Sequence, residues 1–190
     1  MTDDDWVDAA TEVLVDENFR GIRIDKLCRR LGVTKGSFYW HFKGRAELIS
    51  ALLTRWRQRA TTNVIKNLTE LGSNPAERLR ALIELPRRPN SPPYARIEQS
   101  VRDWGRNAQQ AHEAVKEVDE LRLDYFKSLL KQHGLSEELA QKRAYIAYAI
   151  MMGDSILRTT LENPSQQDAV IDEVMKLLVE TEVGRDGKLS

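Results

Sequence analysis

The sequence predicts an all-α protein of about nine helices, with a small N-terminal domain and a larger helical domain behind it. Three observations carry that expectation. Apolar residues recur every three or four positions over long stretches, no period-2 alternation of any length occurs, and only six prolines and ten glycines interrupt the 190 residues.

Residues 3–18 read as the first helix: Trp6, Ala10, Val13 and Leu14 share a face, and Asp3, Asp4 and Asp5 suit the positive end of its dipole. Asn18 to Gly21 ends it. Lys26–Leu31 is a second, short helix stopped by Gly32, and Thr34 is placed to cap a third running to about Phe42. After Lys43-Gly44 a long helix is expected from Arg45 to about Leu71, with Leu48, Leu52, Leu53 and Trp56 on its apolar side. Three short helices leading into a long one place a domain boundary near residue 45, giving domains 1–45 and 46–190. Gly72–Pro75 opens the next helix, to about Leu85, and "PRRPNSPP" (Pro86–Pro93) is a breaker cluster acting as a connector. Helices are then expected over 94–107, 110–132 (stopped by His133-Gly134), 136–162, and from Asn163–Ser165 to about Glu182, with the tail "GRDGKLS" frayed.

Composition narrows the function classes. No run of 18 apolar residues exists, so no membrane span is expected, and the acidic start "MTDDDW" does not resemble a secretory signal. Cys28 is the only cysteine, which excludes intramolecular disulfides and fits a cytoplasmic protein; a small core residue is its expected role. Net charge is zero but unevenly spread. Arg20–Arg59 holds eleven Lys/Arg against Asp25 and Glu47, about +9, whereas the first nineteen residues hold seven acids and no base. A basic module of that kind points to a polyanionic partner.

The stretch "GVTKGSFYWHF" (Gly32–Phe42) makes the partner more specific. Neighbours on a helix differ by about 100° in direction, so its aromatic and imidazole side chains cannot share one face. Phe38 and Phe42, at i and i+4, are expected in the core with Leu27, Leu31 and Val33. The turn at Gly32 makes a helix-turn-helix, whose third helix presents Thr34, Lys35, Gly36, Ser37, Tyr39, Trp40 and His41. Lys43 and Arg45 come next, placed for phosphates, and Arg23 is a further candidate contact. Two positions stay open: His41 fixes the third helix against the first or touches DNA, and Trp40 lies on the phosphate backbone or packs on the fourth helix.

Residues Gly21–Leu53, "GIRIDKLCRRLGVTKGSFYWHFKGRAELISALL", resemble the DNA-binding domain of the TetR family of bacterial transcriptional regulators. The pattern G-V-x-x-G-x-Y/F-Y-x-H-F-x-x-[KR]-x-x-L matches nearly position by position over about a quarter of the chain. Ile24, Asp25 and Gly44 depart from it, at positions where the family more often has polar, basic or capping residues. The resemblance implies a homodimer, a double-stranded operator with dyad symmetry, and a C-terminal domain whose small-molecule effector releases DNA, with repression as the expected mode. A competing class is a helical interaction module, or a regulator that answers to no effector.

Beyond the module, Ala144, Tyr148, Met151 and Ile156, with Val170, Val174 and Leu177, form apolar and small-residue stripes expected at a dimer interface. Trp104, Leu121, Arg122, Tyr125, Tyr148 and Met152 are the effector-pocket candidates; Arg102, Asp119 and Arg122 supply either pocket charge or an internal ion-pair network. No enzyme is expected: His112-Glu113 lacks a second histidine four positions on, and no phosphate loop or nucleophile elbow occurs. Three scattered histidines make no metal site, and no cofactor is expected.

Overall fold

The computed structural model describes residues 1–70, 72–158, 160–161 and 167–180. The expected helix ends at Leu71, Glu162 and Glu182, the start at Asn163–Ser165 and the tail from Gly184 lie outside them. Ten α-helices and two short 3-10 turns form the described residues, and no strand is among them. The helices are α1 (Asp3–Glu17), α2 (Ile24–Leu31), α3 (Lys35–His41), α4 (Arg45–Ala60), α5 (Thr62–Glu70), α6 (Pro75–Ile83), α7 (Ser91–Gly105), α8 (Gln109–Gln132), α9 (Glu137–Leu157) and α10 (Gln167–Val179). Among the described residues no helix is long and apolar enough to cross a membrane.

Two departures from the sequence expectation have local causes. The helix expected from Arg45 to Leu71 is interrupted at Thr61, whose backbone leaves helical geometry (φ −131°, ψ −78°) and whose hydroxyl donates to the Arg57 carbonyl. A threonine hydroxyl that bonds back one turn competes with the helix ladder in this way. The breaker cluster is shorter than its prolines suggest. Pro86 sits in a 3-10 turn, but Pro92 and Pro93 lie in the first turn of α7, where the missing N–H would have had no helical partner.

The chain divides into two compact units, residues 1–64 with 92–120, and residues 65–91 with 121–190. This differs from a boundary at 45. In the first unit Leu48, Ile49, Leu52, Leu53 and Trp56 of α4, and Val101, Trp104, Ala111, Ala114 and Val118 from α7 and α8, enter the same core as Trp6, Val13, Leu14, Leu27 and Phe38. The short helices α1–α3 alone offer little apolar surface, so their core is completed by residues far along the chain. In the second unit α9 packs against α6, α10 and the turn Leu85–Arg87. Arg87 there holds Asp154 through two hydrogen bonds of 2.9 and 3.1 Å.

Candidate nucleic-acid interface

The reading surface is built from an asymmetry within α3. Phe38 and Phe42 are buried, and Phe38 meets the Trp6 ring edge-on at 5.2 Å. With those two side chains inward, Lys35 and Tyr39 fall on one line at i and i+4, Gly36 and Trp40 on the next, and Lys43 follows just past the helix end. All five are exposed, Tyr39 by 57% and Trp40 by 90%, while Ser37 is half-buried. Trp40 therefore packs on nothing, and the alternative of a contact with α4 falls. Thr34 holds the N-cap position with extended geometry, but its hydroxyl makes no capping hydrogen bond.

Between α2 and α3 the chain reverses at Gly32, which has φ +67°. Its N–H donates to the Arg29 carbonyl, and the Val33 N–H reaches the Cys28 carbonyl at 2.9 Å. A left-handed residue closing a helix in this way favours glycine. Buried Cys28 packs beneath the turn, and desolvation pushes its thiol pKa up, away from thiolate chemistry.

The basic segment is not one basic face. Acids of α1 absorb much of it: Arg30 pairs with Glu12 at 2.8 Å, Arg55 with Asp8 at 2.7 Å, and Lys26 with Glu17. Arg57 reaches Glu117 at 2.6 Å. Among the described residues Lys35 and Lys43 have no ion-pair partner, and both are exposed. Arg23 is exposed and lies 3.7 Å from Asp25, which also meets Arg29 at 3.3 Å. Asp25 is not the cap of α2, because Arg23 holds that position; its charge is countered by the two arginines instead.

Two of the candidate contacts, His41 and Arg45, bond within the chain. His41 Nδ1 lies 2.7 Å from Asp3 Oδ1 and its ring tilts against Trp6, so it ties α3 to α1. Arg45 donates from Nε to the Ile22 carbonyl at 2.6 Å and from a terminal nitrogen to the Phe19 carbonyl at 3.1 Å, so its guanidinium is committed to backbone rather than phosphate. Gly44, a weak cap, is supported by Glu47, which accepts the Lys43 N–H at 2.6 Å. Sequence reasoning missed Asp3, Phe19 and Glu47. Asp3 and Glu47 had a local signal, as acids in the first turns of α1 and α4, but Phe19 had none.

Residues 7–52 match the family model for bacterial regulatory proteins of the tetR family. The HTH-type transcriptional regulator SrpR of Pseudomonas putida is 43% identical over 47 residues, 25% of this chain and 22% of its own length. Fold similarity extends through nearly the whole chain. A transcriptional regulator from Rhodococcus sp. Rha1 superposes with a TM-score of 0.70 at 16% identity, covering 94% of each chain. The regulator FadR from Bacillus subtilis, solved with stearoyl-CoA, gives 0.64 at 16% identity over 92% of this chain and 96% of its own. Residues 7–52 are therefore a DNA-binding region of the TetR type.

The curated relatives are matched over only 22–35% of their own length. The rest of the molecule is therefore read from its own geometry. In the second unit Arg122, Tyr148 and Met152 come together as expected: Arg122 donates to the Tyr148 hydroxyl at 3.2 Å, lies 3.8 Å from the Met152 sulfur, and is 5.9 Å from the Tyr148 ring centroid. Tyr125 is one turn from Arg122 on α8, with its hydroxyl buried and without a hydrogen-bond partner among the described residues, whereas Leu121 is exposed. Trp104 belongs to the first unit and stacks on Phe19. Arg102 bonds Glu98 at 2.8 Å and Asp119 at 3.1 Å, so that pair is an internal ion network. A cleft of about 240 Å³ lined by Leu14, Val15, Asn18, Gln99, Ser100 and Asp103 contains none of the expected effector residues.

The dimer stripes divide by face. Ala144, Tyr148, Met151 and Val174 are buried within the chain, which corrects their placement at an interface between copies. Ile156, Val170 and Leu177 are exposed, joined by Tyr145, Ile146 and Leu157.

Proposed function

We propose that the chain is a transcriptional repressor that binds a two-fold symmetric operator as a homodimer and leaves it when a small molecule binds its C-terminal helices. The observation that carries this reading is the exposed stripe Lys35, Gly36, Tyr39 and Trp40 on α3, followed by exposed Lys43, with the opposite side anchored by Phe38 and Phe42. A helix held so rigidly, with one cationic and aromatic face outward, suits the major groove: Lys35 and Tyr39 reach toward base edges and phosphates, while Lys43 neutralises backbone charge. Gly36 keeps the helix surface low, so that the backbone approaches DNA closely.

The outward apolar residues of α9 and α10 support self-association. Two heads joined there would meet half-sites about one turn of DNA apart, ~34–36 Å in simple helix-turn-helix dimers. The ligand seen in the Bacillus subtilis relative supports an effector role for the helical domain, and Arg122, Tyr148, Met152 and Tyr125 are the residues offered for it.

The test is titration of the DNA upstream of its own gene over a range of salt concentrations, paired with a transcription assay. Binding should be sequence-selective and fall steeply with salt as counterions are displaced. Transcription should drop when the protein is added. Weak binding indifferent to sequence and salt would refute DNA recognition, and increased transcription would refute repression.

A further inference from the structure

Trp104 has a different task from the one its sequence position suggests. Its indole stacks on Phe19 with ring centroids 4.2 Å apart and planes 12° from parallel. Phe19 begins the 3-10 turn Phe19–Gly21, the short link that carries α1 into α2. The same ring is met by the Arg45 guanidinium, 4.3 Å from its centroid, and Arg45 also bonds the carbonyls of Phe19 and Ile22. One turn is thereby held from two directions in sequence: by the first residue of α4, and by the last turn of α7 some eighty-five positions downstream.

The turn matters because it leads directly into the two helices of the DNA-reading motif. α2 and α3 span only eight and seven residues. Helices so short derive their order from packing rather than from their own hydrogen bonds. The α1–α2 link is tight: Asn18 enters it at φ +70°, and a Cβ on Gly21 would come within 3.0 Å of Glu17 Cβ and Val13 Cγ1. Such a link has little slack, so where Phe19 is pinned decides where α2 begins.

The indole also shows that stacking, not hydrogen bonding, places it. Trp104 is buried, and its Nε1–H has no hydrogen-bond partner among the described residues. Buried tryptophan N–H groups usually find an acceptor, so the ring sits there for its face.

We propose that Trp104 is a positioning residue for DNA reading: through Phe19, clamped by Arg45, it fixes the placement of α2 and α3 that brings Lys35, Tyr39 and Trp40 to the operator together. The proposal rests on the DNA-binding function proposed above. It separates two kinds of affinity. Sequence-selective binding needs several side chains in register at once, whereas non-selective binding needs only the charges of Lys35, Lys43 and their neighbours near phosphate.

The experiment compares operator DNA with an unrelated duplex at one salt concentration, for the full-length protein and the variants Trp104→Leu, Phe19→Leu, the double variant and Trp104→Phe, with helical circular dichroism recorded for each. Trp104→Leu and Phe19→Leu should each lower the ratio of operator to unrelated-duplex affinity by several-fold, up to about tenfold, the scale of one lost ring pair. Affinity for the unrelated duplex should stay within about twofold, because no phosphate contact is touched. The double variant should be no worse than the single ones, since both remove the same stack. Trp104→Phe keeps a ring while discarding the unpaired N–H, and should retain the wild-type ratio. Should Trp104→Leu fail to fold, Phe19→Leu and Trp104→Phe carry the comparison. A ratio unchanged in Phe19→Leu, or affinities for both duplexes falling in step with lost helix signal, would overturn the proposal and leave the stack merely structural. If the wild-type protein itself makes no distinction between the duplexes, it is the DNA-binding reading that fails.

Discussion

His41 on α3 and Asp3 at the start of α1 meet at 2.7 Å, joining the two ends of the N-terminal helical module across 38 residues of sequence. His41 is only 22% exposed and Asp3 is 69% exposed, so the pair is a surface latch on a ring that is itself partly sheltered by Trp6. Exposed pairs of this type contribute little, and hydrogen bonds to a charged partner somewhat more. His41→Ala should cost about 1 kcal/mol in urea denaturation, and Asp3→Asn less than that. Operator affinity of the folded His41→Ala protein should change less than that of Tyr39→Ala. A His41→Ala protein as stable as the wild type that no longer binds the operator would return the imidazole to the DNA.

The exposed stripe gives side chains with separable roles. Trp40→Ala should leave the melting temperature unchanged, because a side chain 90% exposed has almost no packing to lose. It should still weaken operator binding. Lys35→Ala and Tyr39→Ala should each weaken it by ~1–3 kcal/mol if they meet base edges or ordered phosphates. Lys43→Ala should weaken operator and unrelated DNA alike, and reduce the slope of log affinity against log salt by about one. Arg45→Ala differs in kind: it removes the guanidinium donor to the Ile22 carbonyl and one of two donors to the Phe19 carbonyl, so stability should fall together with binding. Melting curves and salt titrations of the five variants distinguish contact from scaffold.

The helices, the turn at Gly32 and the inward Phe38 and Phe42 were legible because their signals are local: period, caps and i to i+4 spacing. The intramolecular contacts of Arg45 and His41 were not legible, because a motif match aligns residues without showing where they point. Their partners lie 23 to 38 residues away, beyond any periodic signal. The faces of α9 were illegible for another reason. That helix is apolar on both sides, with Ala144, Tyr148 and Met151 inward and Tyr145, Ile146 and Ile156 outward, so no amphipathic contrast marks the core. Trp104 and Tyr148 both looked like pocket aromatics, but they belong to different compact units.

That division of α9 makes the proposed dimer testable without ambiguity about folding. Ile156 and Leu177 are 52% and 62% exposed, so Ile156→Glu and Leu177→Glu should leave the helical signal intact. Each carboxylate would be unpaired in an apolar interface, and light scattering should show dissociation to a single copy. Met151→Glu places the same charge at a buried site and should unfold the C-terminal helices instead. Dimers that persist in both exposed-site variants would mean that copies associate elsewhere.

Glu137 at the first turn of α9 gives a pH dependence with a definite sign. Lys127, then Lys131, hold its carboxylate by hydrogen bonds and charge at about 2, below the ordinary value of 4.5, with contacts of 2.8 and 2.5 Å. A carboxylate whose pKa is lower folded than unfolded stabilises the fold above the unfolded value. That contribution is lost as the pH falls from about 4.5 toward about 2, where the group protonates in the folded protein too. Glu137→Gln should therefore melt at a lower temperature than wild type at pH 7, and the gap should close across that window. Because the three side chains lie at the surface, added salt should narrow the gap at neutral pH as well. A gap that stays constant from pH 7 to pH 2 would assign the loss to something other than the Lys127–Glu137–Lys131 cluster.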